Sequence, residues 1–552
     1  MLTGNEALAR ALTAARIRSA WSFPGAPLTK VELLLDSKGA QGVGHRFTVN
    51  EHVAASLALG GALLAGHGTC MLMKHVGVNV ALDTLATFGV VSELRSPALV
   101  VEGIDAGPSI SQNAQDNRAA LTSLAHLLQL EPGSPDEVYQ LTRLAAQASQ
   151  RTGMPVLVRA HPRSLDTKGV VHEAPPDLPE GALMMFSRAA GPFISTAATC
   201  RFHIEKRGRR LAQLQPLVEA LAVKTVGDSN RAVILAGTLG PTAHARAWSR
   251  RLSTLRLGAS WPLPRQALLD LMKGRDEVLV LEEGEPFLER ELQAFAHREW
   301  LECRVRGAGE VRPQRLDDER IDLLVGRFGG RVRAEVDPVV RTSSDWKAAA
   351  EAVAAIGDDD GEPWPLYVAR TRPKMKGFAV DDPRMTLLNS LRKLDRPTII
   401  VSDPGTTGVL GIRDRLVDVK MHMGSAAPVA GALADAAEVE EQAGAPLAVA
   451  LISATNHYHS ELLGVMDNAI ARREVLHVIV VDRRAELTAG VKTPCLPDDA
   501  LEAQLRAAGL HVATASLDDP GLAAAVAYSA SRHGPRALIC YGASRSSDEA
   551  DG

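Results

Sequence analysis

The stretch Pro446–Ser460, "PLAVALISATNHYHS", starts as an apolar run and breaks into a polar cluster with two histidines. A short, continuous apolar run of this length reads as a strand buried on both faces, as in a parallel sheet. In such sheets, ligands bind where the buried strand runs out into its turn. The turn that opens at Ser453 is therefore both the key to the fold and the first candidate site.

Neighbouring segments repeat the pattern. "RPTIIVSDPGTTG" (396–408), "VLHVIVVDRRAELTAG" (475–490) and "PRALICYGAS" (535–544) supply three more strand candidates in the C-terminal part. Near the N-terminus, strands in "SAWSFPGAP", "GTCMLMKHVG", "SPALVVEGID" and "MPVLVRAHP" alternate with helices in "NEALARALTAARI", "NEHVAASLALGGALLAG" and "PDEVYQLTRLAAQASQRTG". A middle unit holds "RAVILAGTLGP" and "DEVLVLEEGEPFLERELQAFAHRE". Strands alternating with helices of 10–15 residues predict an α/β protein of several doubly wound parallel-sheet domains. The expected division is a first domain at 1–175, a connector at 176–228, a middle α/β domain at 229–330, a linker region at 331–394 and a last domain at 395–552. The first and last domains read as two diverged copies of one layer.

Length and composition fit this division. The chain has 552 residues, of which 46% are hydrophobic and 23% charged, more than one hydrophobic core accommodates. Only 4% are aromatic, so aliphatic side chains and alanine must fill the cores. The net charge is −4, without a large block of one sign, which gives no reason to expect nucleic-acid binding. Asp83, Glu93 and Arg95 interrupt the apolar region around 79–101, so no membrane span is expected. The five cysteines, Cys70, Cys200, Cys303, Cys495 and Cys540, form no CxxC pair. No zinc ribbon or iron–sulfur cluster is expected in this chain, and a reducing cytoplasm is the expected compartment.

Several polar turns are candidate sites. Glu51 opens the Ala/Gly-rich helix of "TVNEHVAASLALGG", where a carboxylate is favoured on electrostatic grounds alone. Lys74, His75 and Asn79 follow a strand in "MLMKHVGVNVALD". "GPSISQNAQDNRAA" packs Gln112, Asn113, Gln115, Asp116, Asn117 and Arg118 into one loop whose short amides suit a polar ligand. The five glutamates of "LEEGEPFLERE" read as charge at a helix N-terminus. No GxGxxG follows any strand, so a nicotinamide enzyme of the Rossmann type fits poorly.

Taken together, "GNEALARAL", "FPGAP", "VNEHVA", "MKHVGVNVALD", "SQNAQDNR" and "DEVLVLEEGEPFLERE" resemble the α subunit of indolepyruvate:ferredoxin oxidoreductase. "SDPGTTG", "MHMGSAAPVAGAL", "HSELLGVMDNAI" and "VVDRRAELTAG" extend the resemblance more loosely to the C-terminal part. That family uses thiamine diphosphate to cleave 2-oxo acids oxidatively, passing electrons to ferredoxin and the acyl group to coenzyme A. The resemblance implies that Glu51 contacts the aminopyrimidine ring and shifts its tautomer, a proton transfer by a positioned carboxylate. It further implies that Gly25, Asp403, Gly405, Gly424, Ser425, His459 and Arg483 line the cofactor, and that Lys74, His75, Asn79, Gln112 and Asn113 face the substrate.

The same alignment predicts that the metal site is lost. Aligning His459 and Ser460 with the family's His-Ser puts Ser453 and Ala454 where the family has Gly-Asp, and Arg483 where it has a second, Asn ligand. The side chains of alanine and arginine offer a magnesium ion no oxygen. Ala26 also replaces the family's threonine in the Pro-Gly turn, and no counterpart of the family's ferredoxin-like tail is expected. Two readings follow. In one, the chain is a divergent 2-oxoacid oxidoreductase α subunit that binds thiamine diphosphate without magnesium, with Arg483 and Arg484 on the diphosphate. In the other, the cofactor is lost and the chain is a structural or ligand-binding partner. Either way a homodimer is expected, with a small companion subunit carrying the redox function.

Overall fold

The computed structural model describes residues 1–552 except 38–41, 92, 106–114, 175–185, 187–192, 196, 309–315, 330–331, 333–335, 358–381, 440–444, 482–497 and 543–552. Gln112, Asn113, Arg483 and Arg484 lie outside the described residues.

The strands form where the apolar runs predict them. In chain order they are β1 (Ile17–Ser22), β2 (Gly44–Phe47), β3 (Gly68–Lys74), β4 (Ala98–Gly103), β5 (Leu128–Leu130) and β6 (Val156–Ala160). The middle of the chain adds β7 (Val223–Thr225), β8 (Arg231–Leu235), β9 (Ser253–Arg256), β10 (Ala259–Trp261), β11 (Glu277–Leu281) and β12 (Arg304–Arg306). The C-terminal part adds β13 (Thr398–Ser402), β14 (Val419–Lys420), β15 (Leu447–Ser453), β16 (Val475–Val481), β17 (His511–Ser516) and β18 (Arg536–Tyr541). The first sheet runs β10-β5-β6-β4-β3-β1-β2, the second β12-β11-β8-β9-β7, and the third β14-β13-β15-β16-β18-β17.

Apart from β10, which joins antiparallel at the edge, the first and third sheets have one strand order. Numbered from its first strand, each reads 2-1-3-4-6-5, with every pairing parallel. Each first strand also ends in a Ser-x-Pro-Gly turn: Ser22–Gly25 after β1 and Ser402–Gly405 after β13. The two layers therefore repeat in topology as well as in turn chemistry. In each sheet the chain leaves the first strand to one side and returns on the other. The crevice between strands one and three is thus the topological switch point, the position where doubly wound sheets bind ligands.

Five helices matter for the sites: α1 (Glu51–Gly61), α2 (His75–Val90), α3 (Thr406–Arg413), α4 (Ala426–Val439) and α5 (Leu462–Ile470). By their contacts the residues divide into two compact units. One comprises 1–47, 68–180 and 205–360, the other 48–67, 181–204 and 361–552. The second unit thus contains α1 together with the third sheet.

In the first unit, the middle sheet is tied to the first by buried charge. Arg118 holds Asp116 in a two-pronged ion pair, reaches Glu282 Oε2 at 2.9 Å and donates to the carbonyls of Glu283 and Glu285. Arg159 joins Glu102, Glu131 and Asp116. Glu137 takes Arg256 at 2.8 Å and Arg341 at 2.5 Å. Removing one partner of such a network leaves a charge buried without compensation, at a cost of about 3–5 kcal/mol.

In the second unit, α1 packs on α4. From Val53 to Gly61 the helix is buried throughout, as a helix of Ala, Val, Leu and Gly must be. Close approach is permitted by Gly60, where an added Cβ would lie 3.0 Å from Cα and Cγ2 of Val429. The lead-in is fixed by the Val49 amide donating to Asp467 Oδ1 at 3.1 Å, and Asp467 is itself paired with Arg473. The α1 helix therefore docks on α4 of its own chain. Gly60→Val should cost about 1–3 kcal/mol through overpacking. Urea unfolding measures this, and an unchanged midpoint would show that the two helices do not touch there.

Candidate functional site

The turn quoted at the outset lies at the switch point of the third sheet, between the ends of β13 and β15. Asp403 follows β13 and is 2% exposed. Its Oδ2 accepts from the Ser453 amide (2.7 Å), Ser453 Oγ (2.9 Å) and Asn456 Nδ2 (2.9 Å), and its Oδ1 accepts from the Gly405 amide (2.8 Å). Burial raises its pKa, while these donors pull it back. Four donors on one carboxylate bind the first and third strand ends of the crevice to each other.

A second carboxyl does the same work at α4. A helix N-terminus leaves its first amides without intrahelical partners, and an N-cap side chain usually takes one of them. Here the N-cap Ser425 turns its hydroxyl to the His422 carbonyl at 2.8 Å. The Ala426 and Ala427 amides instead donate to Oε1 and Oε2 of Glu461, at 2.9 and 2.8 Å. Pro428 has no N–H, and the Val429 amide already bonds Ser425 O. Both free amides of α4 are thus consumed by one side chain with 0% exposure. Burial pushes the Glu461 carboxyl up to about 8, the Asp403 carboxylate adds to that, and the amides of Ala427, Ala426 and Gly424 oppose it.

The turn between β14 and α4 is set by Gly424, whose φ is +90°. A Cβ there would come within 2.8 Å of His52 Nε2 and of Ser460 Cβ. His52 donates its Nε2–H to Gly424 O at 3.0 Å, so the residue after Glu51 is tied to the turn that leads into α4. Glu51 itself is half-buried at the first position of α1, behind the N-cap Asn50. Lys420, at the end of β14, donates to Ser195 O at 2.6 Å. Burial lowers its pKa, with Asp403 pulling the other way.

The sequence-derived candidates divide accordingly. Asp403, Gly405, Gly424 and Ser425 come together here with His52 and the N-terminus of α1. His459 is exposed, whereas its neighbour His457 is fully buried, its pKa lowered by burial to about 4. Residues 457–461 form a π turn, which alters the phase of the helix and turns in a different histidine from the one expected. Glu461, Asn456 and His52 were not anticipated. Next to a helix start Glu461 reads as an ordinary N-terminal acid, and nothing local shows that it reaches back to residues 426 and 427.

In the first unit, Gly25 and Lys74 meet at the switch point between β1 and β3, where a Cβ on Gly25 would lie 2.8 Å from Lys74 Cβ. His75 is buried, and its carbonyl accepts from Asn117 Nδ2 at 2.6 Å and Gln115 Nε2 at 3.3 Å. Asn79 is exposed. The described part of the "SQNAQDNR" loop thus anchors the start of α2 and the buried ion network instead of facing outward as a solvated loop. Of the five glutamates in "LEEGEPFLERE", Glu282 caps the helix Phe287–Arg298 through the amides of Leu288 and Glu289, as the charge argument expects. Glu283 holds His161 and Arg163.

No family model matches the chain. Among curated proteins, the indolepyruvate oxidoreductase subunit IorA of Pyrococcus horikoshii is 26% identical over 516 residues, covering 89% of this chain and 75% of that protein. IorA of Thermococcus kodakarensis is 28% identical over 518 residues, covering 87% and 74%. The chain is similar to IorA subunits over most of its length. IorA of Methanothermobacter thermautotrophicus is 31% identical over 313 residues, a match that spans 55% of this chain and half the length of that relative. Two solved structures share the fold: an enzyme described as thiamin diphosphate-dependent from Mycobacterium smegmatis (TM-score 0.51, 14% identity, 99% of this chain and 100% of that one), and benzoylformate decarboxylase from Polynucleobacter necessarius (0.50, 14%, 99% and 99%).

Among the described residues, the C-terminal crevice leaves few groups for the magnesium–diphosphate half of the cofactor that the resemblance implies. Asp403 takes the donors at the strand ends, Glu461 takes those of α4, and Ala454 offers no ligand.

The Glu461 shift has a measurable consequence. Its carboxyl moves from an ordinary 4.5 to about 8 on folding. The folded state therefore holds the proton more tightly, and the associated stability is full below pH 4.5 and lost as pH rises through about 8. Glu461→Gln should flatten the fall in unfolding free energy across that window by roughly 1–4 kcal/mol. An identical slope in both proteins, measured by urea unfolding against pH, would contradict this assignment.

Proposed function

We propose that the chain is a divergent α subunit of a 2-oxoacid oxidoreductase, oxidatively decarboxylating an aryl or other 2-oxo acid, with Glu51 as the carboxylate on which turnover depends. The supporting observation is the seating of α1 on α4 within one chain. Gly60 against Val429 and His52 on Gly424 O hold the start of α1 beside the turn that enters α4, so a pyrimidine-side carboxylate is retained next to a diphosphate-side helix. The similarity to IorA subunits supports the reaction class. Thiamine diphosphate is the cofactor of that class, and on this reading its affinity here owes nothing to magnesium. Electrons leave through a companion subunit, because the cysteines of this chain form no cluster-binding pattern.

One observation favours a second reading. With Asp403 and Glu461 occupying the donors of the crevice, the chain would serve as a structural or ligand-binding partner that no longer takes the cofactor. The two readings differ in turnover. On the first, reduction of a viologen dye depends on an aryl 2-oxo acid, and Glu51→Gln lowers it by about 10²-fold or more. Titration calorimetry with thiamine diphosphate gives the same affinity with and without magnesium. A folded chain, assayed with its companion, that shows no 2-oxo acid-dependent reduction would leave the second reading standing.

A further inference from the structure

We infer that Glu461 is the residue that closes this crevice to phosphate: its carboxyl sits on the two amides of α4 that an incoming oxyanion would use. The inference rests on reading the crevice as the diphosphate side of the family's site, and it agrees with the second reading above, in which the chain no longer takes the cofactor.

The donor inventory carries the argument. A helix N-terminus binds an anion through amides that have no other partner. At α4 the inventory is short. Pro428 supplies none, the Val429 amide is spent on Ser425 O, and the Ser425 hydroxyl is turned to His422 O. Ala426 and Ala427 remain, each donating to its own oxygen of Glu461, and the Gly424 amide ahead of the helix serves the same carboxyl. A phosphate at this position would have to displace a carboxyl that is fully buried and two-pronged. At the ends of β13 and β15, the Ser453 amide, Ser453 Oγ, Asn456 Nδ2 and the Gly405 amide all serve Asp403. The two carboxyls also lie close enough for Asp403 to act electrostatically on Glu461, so a diphosphate would meet occupied donors at both.

One feature shows that the crevice keeps polar capacity once that carboxyl is gone. Asn456, 1% exposed, donates to Asp403 but has no hydrogen-bond partner for its Oδ1 among the described residues. A crevice of this kind suits a ligand that brings donors, such as an amide or a protonated amine, in preference to a phosphate. Glu461 arises from the π turn 457–461, a local widening that brings its side chain to α4, and π turns of this kind recur at functional sites.

The probe is inorganic pyrophosphate, titrated calorimetrically into the full chain with and without magnesium. The wild type should show no binding at millimolar concentration under either condition. Glu461→Gly frees both amides and should bind at least tenfold more tightly, without needing magnesium. Glu461→Gln, which keeps one acceptor and the side-chain volume, should fall between the two and guards against a glycine variant that does not fold. Magnesium-dependent binding by the wild type would overturn the inference, as would folded variants no different from the wild type. Pyrophosphate alone supports no turnover, so the binding result is read separately from the 2-oxo acid assay.

Discussion

A buried helix N-terminus must find acceptors for its free amides, and in this chain that requirement organises the C-terminal half. The α4 helix starts with two such amides and a proline, and Glu461 satisfies both. Its N-cap serine is thereby released to shape the turn at Gly424, whose left-handed backbone brings its carbonyl to His52. His52 belongs to α1, so the same turn that feeds α4 also receives the helix bearing Glu51. One carboxyl thus underlies the helix start, and the turn before it the docking of α1.

Repetition of one layer explains why the two halves of the molecule can carry related but unequal sites. The first and third sheets have the same strand order and the same Ser-x-Pro-Gly turn after the first strand. In the third sheet the variable position of that turn is Asp403, which gathers four donors. In the first it is Phe23, which has no polar atom to gather any. The same backbone geometry therefore yields a donor-saturated crevice in one sheet and, in the other, a turn in which Gly25 meets Lys74.

Much of this was legible in the sequence. Buried parallel strands need continuous apolar runs, so β13, β15, β16 and β18 stand out as "TIIVS", "LAVALIS", "VLHVIVV" and "RALICY". Ser453, Ala454 and Asp403 fall at strand ends because the runs stop there. The contacts that decide the chemistry were not legible, because they join residues far apart in the chain. Glu461 reaches 35 residues back to Ala426, and Asn456 reaches 53 back to Asp403, and no periodicity encodes either. Which of His457 and His459 is buried was not legible for a different reason. The π turn breaks the period from which an inward face would be extrapolated. The "QDNR" motif looked like a ligand loop because short amides and charges suit ligands, yet Asn117 and Arg118 spend those groups on the His75 carbonyl and a buried ion network.

The central claim is that the chain's own carboxyls occupy the donors a diphosphate would need. A crystal structure of the full chain grown with magnesium and thiamine diphosphate tests it most directly. The account predicts Glu461 on the amides of Ala426 and Ala427, Asp403 within its ring of Ser453, Asn456 and Gly405, and no metal between them. Diphosphate oxygens on those two amides, with Glu461 displaced and magnesium bound beside Ala454, would contradict it.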